Sequence, residues 1–139
     1  MINKNLGILF TSRNNYQLLN NWIKKVDVEG FTVLNIDEDS TEENKNIGKT
    51  ICEENNIVYM DREKRGMQNN IVSTSNYFKS KGVNWVIWFQ HDCFPLNNNF
   101  FTEFSNLVDG EKLNEFGVIG FNSHHKQIAH QRYDSGVRE

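Results

Sequence analysis

Trp85-Val-Ile-Trp-Phe-Gln-His-Asp-Cys-Phe-Pro95 carries the strongest apolar run in the chain and sets polar chemistry directly after it. The residues from Trp85 to Phe89 are β-branched or aromatic and lie between Gly82 and Pro95, the pattern of a strand buried on both faces. Asp92 then falls just past the strand end. In an open parallel α/β sheet, ligands bind outside the carboxyl ends of the strands, so a carboxylate at this position is a site candidate. His-Asp before a proline also suits a plain strand-terminating turn, and on this stretch alone both readings stand.

Upstream, the same grammar repeats. Leu6 to Phe10 is a short apolar run closed by Thr11-Ser12-Arg13-Asn14, and Leu18, Leu19, Trp22, Ile23 and Val26 follow at helical spacing. Gly30 ends that helix, Phe31 to Ile36 forms a second run, and Asp37-Glu38-Asp39-Ser40-Thr41-Glu42 comes at once. Ser40 or Thr41 can cap a helix whose first turn holds Glu42 and Glu43 and whose apolar stripe is Ile47 and Ile51. Ile57 to Met60 is a third strand, followed by the charged loop Asp61 to Gly66. A helix from about Met67 is expected to bury Ile71, Thr74, Ser75 and Phe78 and to close at Gly82. After Pro95, Phe100, Phe101, Phe104 and Leu107-Val108 recur at helical spacing as a core-packing stripe, and Phe116 to Phe121 reads as a fifth strand.

The β-α-β-α-β-α-β-α-β order predicts an α/β fold: a mostly parallel sheet covered by helices on both faces, with right-handed crossovers. Thr11-Ser12-Arg13, Asp37-Glu38-Asp39, Arg62 to Gly66 and His91-Asp92 then all fall at carboxyl ends of strands, on one edge. Residues 1–121 form the expected domain, and 122–139 a polar tail or the start of a further half.

Composition narrows the function classes. A chain of 139 residues, 37% apolar but with ten Phe and three Trp, can bury a core in a few large side chains. Its net charge is −3 and its Lys and Arg are scattered, so no basic stripe is available to track nucleic acid. Cys52 and Cys93 form no CxxC pair, which suits a reducing, cytoplasmic setting. His91, Cys93, His124, His125 and His130 lack zinc-ligand spacing. No leader-like or membrane-spanning run is visible, and the chain reads as soluble.

Taken together, these residues resemble the GT-A nucleotide-sugar glycosyltransferases, family 2 in particular. Ile8-Leu-Phe-Thr-Ser-Arg-Asn14 is similar to the family's first strand and its T-S-Y-N ending. Asp37-Glu-Asp-Ser-Thr-Glu42 resembles its V-D-D-G-S-T-D motif, Arg65-Gly66-Met-Gln-Asn-Asn70 its N-R-G…N segment, and Phe89-Gln-His-Asp-Cys-Phe-Pro95 its D-x-D motif with the proline after it. Phe116-Gly-Val-Ile-Gly120 is similar to the family's next strand, so the resemblance runs over roughly residues 5 to 121.

The resemblance implies a Rossmann-like nucleotide-binding half in which Thr11, Ser12, Arg13, Asp37, Glu38, Asp39, Arg65 and Gly66 contact the nucleotide. It implies that Asp92 holds Mn²⁺ or Mg²⁺ on the donor diphosphate. The expected partners are a nucleoside-diphosphate sugar, a UDP-sugar above all, and an acceptor hydroxyl on a glycan, lipid or protein. The expected reaction is inverting transfer.

Three features depart from the family pattern. Gln90 stands where the first D-x-D carboxylate would be, and Arg13 replaces an aromatic residue. The acceptor-binding half with its catalytic base is expected beyond Glu139, so no catalytic residue is assigned. A non-catalytic nucleotide-sugar-binding or assembly module is the alternative. A nucleotidyltransferase is disfavoured, because no Gly-rich, Lys-containing loop follows the first strand.

Overall fold

The computed structural model describes residues 5–62, 67–90, 99–111, 120–121 and 137–138. The chain falls into two compact units, Met1–Ser105 and Asn106–Glu139. The first contains β1 (Leu6–Ser12), α1 (Tyr16–Lys25), β2 (Thr32–Glu38), α2 (Glu42–Glu54), β3 (Val58–Arg62), α3 (Met67–Ser80), β4 (Trp85–Gln90) and the start of α4 (Phe100–Asp109). In the second, β5 (Gly120–Phe121) pairs antiparallel with β6 (Val137–Arg138). The expected fifth strand is thus described only at its last two residues, whose partner lies in the segment expected to be a featureless tail. Residues 112–119 lie outside the described residues.

The expected α/β architecture is present: a four-strand, all-parallel sheet in the order β3-β2-β1-β4, flanked by helices. β1 lies between β2 and β4, so the apolar runs that begin at Leu6, Phe31 and Trp85 supply three neighbouring parallel strands. The strands run farther than their apolar runs, however. The ladder pairs Thr11 with Ile36, Ser12 with Asp37 and Glu38 with Arg62, so Asp37, Glu38, Asp61 and Arg62 are strand residues rather than loop residues. Each parallel neighbour offers backbone partners that apolar patterning does not register.

Strand alternation divides the core into two layers. On one face Leu9, Leu34, Ile36, Phe78 and Val83 pack together, with Met60, Tyr77 and Trp88 at the margin, so α3 covers this side. On the other, Phe10 meets Trp22 of α1 edge-on at 4.7 Å, and Trp22 also lies 5.1 Å from Phe89 and 6.3 Å from Phe101. Phe101 and Phe104 are buried, as the stripe in α4 predicted.

Two helix faces differ from expectation. In α2 the inward residues are Gly48 and Cys52, while Ile47 is 45% exposed. In α3 they are Asn70, Thr74 and Phe78, while Ile71 is 44% exposed. At Gly48 the reason is the Tyr16 ring of α1, which leaves no room for a Cβ, and in α3 the buried Asn70 and Thr74 are admitted because their side chains are hydrogen-bonded, to Glu38 and to the Asn70 carbonyl. Gly7 shows the same tightness: a Cβ there would come under 3.0 Å from two ring carbons of Phe78. Gly7→Ala should therefore destabilise the domain by about 1–3 kcal/mol through overpacking, read as a lower urea midpoint with unchanged slope. An unchanged midpoint would show that Phe78 can give way.

Candidate functional site

The carboxyl edge of the sheet is the candidate site, because the strand order reverses there. The chain steps outward from β1 to β2 to β3 and then returns to place β4 on the other side of β1. Crevices at such switch points are where open α/β sheets bind ligands. Register places Thr11 beside Gln90 across the switch and Ser12 beside Asp37 on the other flank.

The loops after β1 and β2 are stitched into one rim. The Asn14 amide donates to the Ser40 hydroxyl at 2.8 Å, and the Thr41 amide donates to the Asn14 side-chain oxygen at 2.9 Å. The Asp39 amide donates to the Arg62 carbonyl at 3.1 Å, joining β3 to the same rim. Asn14 (φ 60°) and Asp39 (φ 64°) both take left-handed backbone, which Asn and Asp adopt more readily than other side chains bearing a Cβ. Thr41 then caps α2, its hydroxyl accepting from the Asn44 amide at 3.4 Å, as the sequence predicted for Ser40 or Thr41.

Beneath the rim lies a buried polar chain with one direction. The Ser12 hydroxyl donates to the Asn35 side-chain oxygen (2.6 Å), the Asn35 amide to the Tyr16 hydroxyl oxygen (3.3 Å), and the Tyr16 hydroxyl to Asp37 (2.5 Å). The second Asp37 oxygen accepts from the Ser40 amide at 2.8 Å. Burial by itself would raise the Asp37 pKa, but the hydrogen bonds from Tyr16 and Ser40 outweigh it and hold the carboxyl below its ordinary value. The Tyr16 phenol moves the opposite way, raised by burial and by that same carboxylate. The Tyr59 hydroxyl is buried without a partner at hydrogen-bonding geometry, and burial followed by the Asp37 charge raises it as well. Burial and the same charge push the Cys52 thiol up to about 12.

The predicted site residues are therefore placed unequally. Arg13 and Asp39 are exposed on the rim. Thr11 is half-buried and accepts from the Trp88 indole at 3.1 Å. Ser12 and Asp37 are buried, at 2% and 0% exposure, with their polar atoms engaged inside the chain. Glu38 is half-buried and accepts from the Asn70 side chain. Arg65, Gly66 and Asp92 lie outside the described residues, as do His91 and Cys93. The chain matches no family model, no curated protein and no solved structure.

Among the described residues no group of three or more His, Cys, Asp or Glu is placed to hold a metal ion. At the end of β4 the residue types are those that a hard dication would need. Gln90 is exposed there and offers an amide oxygen, and Asp92, two residues on, offers a carboxylate. A cavity of about 320 Å³ lined by Ile23, Val28, Phe31 and Asn56 among others belongs to the opposite, amino-terminal edge, and no predicted site residue lines it.

Sequence reasoning missed Tyr16, Asn35, Ser40 and Asn14 as parts of one assembly. One signal was present: Asn35 interrupts the apolar run Val33-Leu-Asn-Ile36 at an inward position, and a buried amide needs partners. Tyr16 also extends the buried stripe of Leu19 and Trp22 one turn toward the helix start.

Proposed function

We propose that the chain is a GT-A glycosyltransferase-like domain, similar to family 2, that binds a nucleoside-diphosphate sugar, a UDP-sugar above all, at the carboxyl edge of its parallel sheet. The observation that carries this reading is the reversal of strand order at β1 and β4, with Thr11 and Gln90 side by side across it. On the rim, Arg13 offers a planar guanidinium able to stack on a base or pair with phosphate, and Asp39 offers a carboxylate to base or ribose. Thr11, Glu38, Arg65 and Gly66 complete the proposed nucleotide contacts, while Ser12 and Asp37 support them from below. Gln90 and Asp92 would hold Mn²⁺ or Mg²⁺, which when bound neutralises charge on the donor diphosphate. With an acceptor-binding half, the reaction is transfer of the sugar to an acceptor hydroxyl with inversion. Gln90 in place of a carboxylate favours, as the second reading, a module that binds nucleotide sugar without turning it over.

A ligand at about 100 times its dissociation constant stabilises the folded state by roughly 2.7 kcal/mol, several degrees of melting temperature for a domain of this size. The 139-residue chain should show that shift with UDP and Mn²⁺ together, and a smaller one with UDP alone. Asp92→Asn should remove the Mn²⁺ dependence and leave the ligand-free melting temperature unchanged. Absence of any shift with any nucleotide, with or without metal, would overturn the proposal. A shift without sugar transfer by a chain that includes an acceptor half would select the second reading.

A further inference from the structure

The rim that carries Arg13 and Asp39 is held in place from beneath. Its two left-handed residues, Asn14 and Asp39, are fixed through Ser40, whose hydroxyl takes the Asn14 amide and whose own amide goes to Asp37. Asp37 in turn is gripped by Tyr16, the first residue of α1. Phenylalanine would fill the same buried volume, so the hydroxyl has a task that packing does not explain. α2 is shaped around that placement: a Cβ at Gly48 would come under 3.0 Å from the ring carbons of Tyr16.

We infer that Tyr16 is a positioning residue for the ligand rim: its hydroxyl fixes the Asp37 carboxylate that grips the Ser40 amide, and so sets the loop on which Asp39 stands. The link from this rim to nucleotide affinity rests on the function proposed above; the grip itself does not. Asp37 can hold the Ser40 amide only while it remains an acceptor on that oxygen, so protonation competes with the grip. The groups facing it are Tyr16 from α1, Tyr59 from β3 and Cys52 from α2, with Lys49 lying 5.7 Å from the Tyr59 ring centre and Asp61 directly across in register. The hydrogen bonds from Tyr16 and then Ser40 do most to keep the carboxylate ionised, with a smaller contribution from Tyr59.

The test is amide hydrogen exchange at Ser40 across an acid titration, in the full chain without ligand, alongside UDP calorimetry in the presence of Mn²⁺. In Tyr16→Phe, Ser40 protection should fall roughly tenfold, the size expected for one charge-assisted hydrogen bond. The pH at which protection is lost on acidification should rise, and UDP should bind about tenfold more weakly. Gly48→Ala, which displaces the ring but keeps the hydroxyl, should act in the same direction. Tyr59→Phe removes a hydroxyl that lies near Asp37 but outside hydrogen-bonding geometry, and should cost Ser40 protection much less than Tyr16→Phe does. A role confined to core filling would lower the melting temperature while leaving Ser40 protection and its acid limb unmoved in both Tyr16→Phe and Gly48→Ala, and that result would overturn the inference. An equal loss in Tyr59→Phe would overturn it too. If the wild-type chain binds no UDP, the nucleotide reading fails, while the exchange experiment still decides the role of Tyr16.

Discussion

Trp22→Ala is expected to destabilise the domain by about 3–5 kcal/mol and to lower its melting temperature by roughly 10 °C or more. The indole is fully buried and is the largest fully buried side chain among the described residues. It touches Phe10 of β1, Phe89 of β4 and Phe101 of α4, so its removal leaves a void bounded by three elements. Those elements cannot all move inward at once, because β1 and β4 are pinned to each other by their ladder. The cost therefore includes the cavity as well as the lost transfer of the indole from water. Trp22→Phe, which keeps most of the volume, should recover a large part of the loss. A thermal melt of both variants checks this, and equal losses would show that the ring is held by something other than packing.

Asp37→Asn is the second large effect, and its sign depends on pH. At neutral pH the carboxylate accepts from Tyr16 on one oxygen and from the Ser40 amide on the other. An amide can accept on one side only, so one of these buried donors meets another donor. Hydrogen bonds to charged groups are worth about 1.5–3 kcal/mol each, and a loss of roughly 3 kcal/mol follows. In the wild-type chain the folded-state pKa of Asp37 lies below the ordinary value of 3.8, so this group's stabilisation is fully present above that value. It is lost as the pH falls through the depressed folded value. Urea melts at neutral pH and in acid should therefore show Asp37→Asn weaker at neutral pH, with a shallower further decline in acid. Parallel decline of variant and wild type would remove Asp37 as a source of acid sensitivity.

The element order could be read from the chain because each apolar run is short and ends in polar or glycine-containing sequence. Trp85 to Phe89 is bounded in that way and is a strand beside β1, but it ends the four-strand sheet and buries only Ile87 fully, with Val86 exposed, rather than being buried on both faces. Where the strands end could not be read. Asp37 and Arg62 look like loop residues until a parallel neighbour supplies their backbone partners. Helix faces depend on tertiary partners in the same way: Ile47 and Ile71 are the conspicuous apolar residues, but Gly48 faces inward against the Tyr16 ring and Asn70 against Glu38. Ser12, Arg13, Asp37 and Asp39 were all picked out as candidates. That Asp37 and Ser12 are spoken for inside the chain depends on Tyr16 and Asn35, which lie about twenty residues from their partners and share no motif with them.

The one-directional polar chain from Ser12 to Asp37 has a consequence for how this domain can diverge. Its members belong to β1, β2 and α1, so the floor of the crevice and the core form one cooperative unit, and drift at Ser12, Tyr16, Asn35 or Asp37 is filtered by folding before any ligand is met. Arg13 and Gln90 are exposed and their side chains lie outside that chain, whereas exposed Asp39 is limited by its left-handed backbone to residues such as Asn or Gly. Under the function proposed above, ligand preference would change at Arg13 and Gln90 by single substitutions, with the buried chain beneath them left intact.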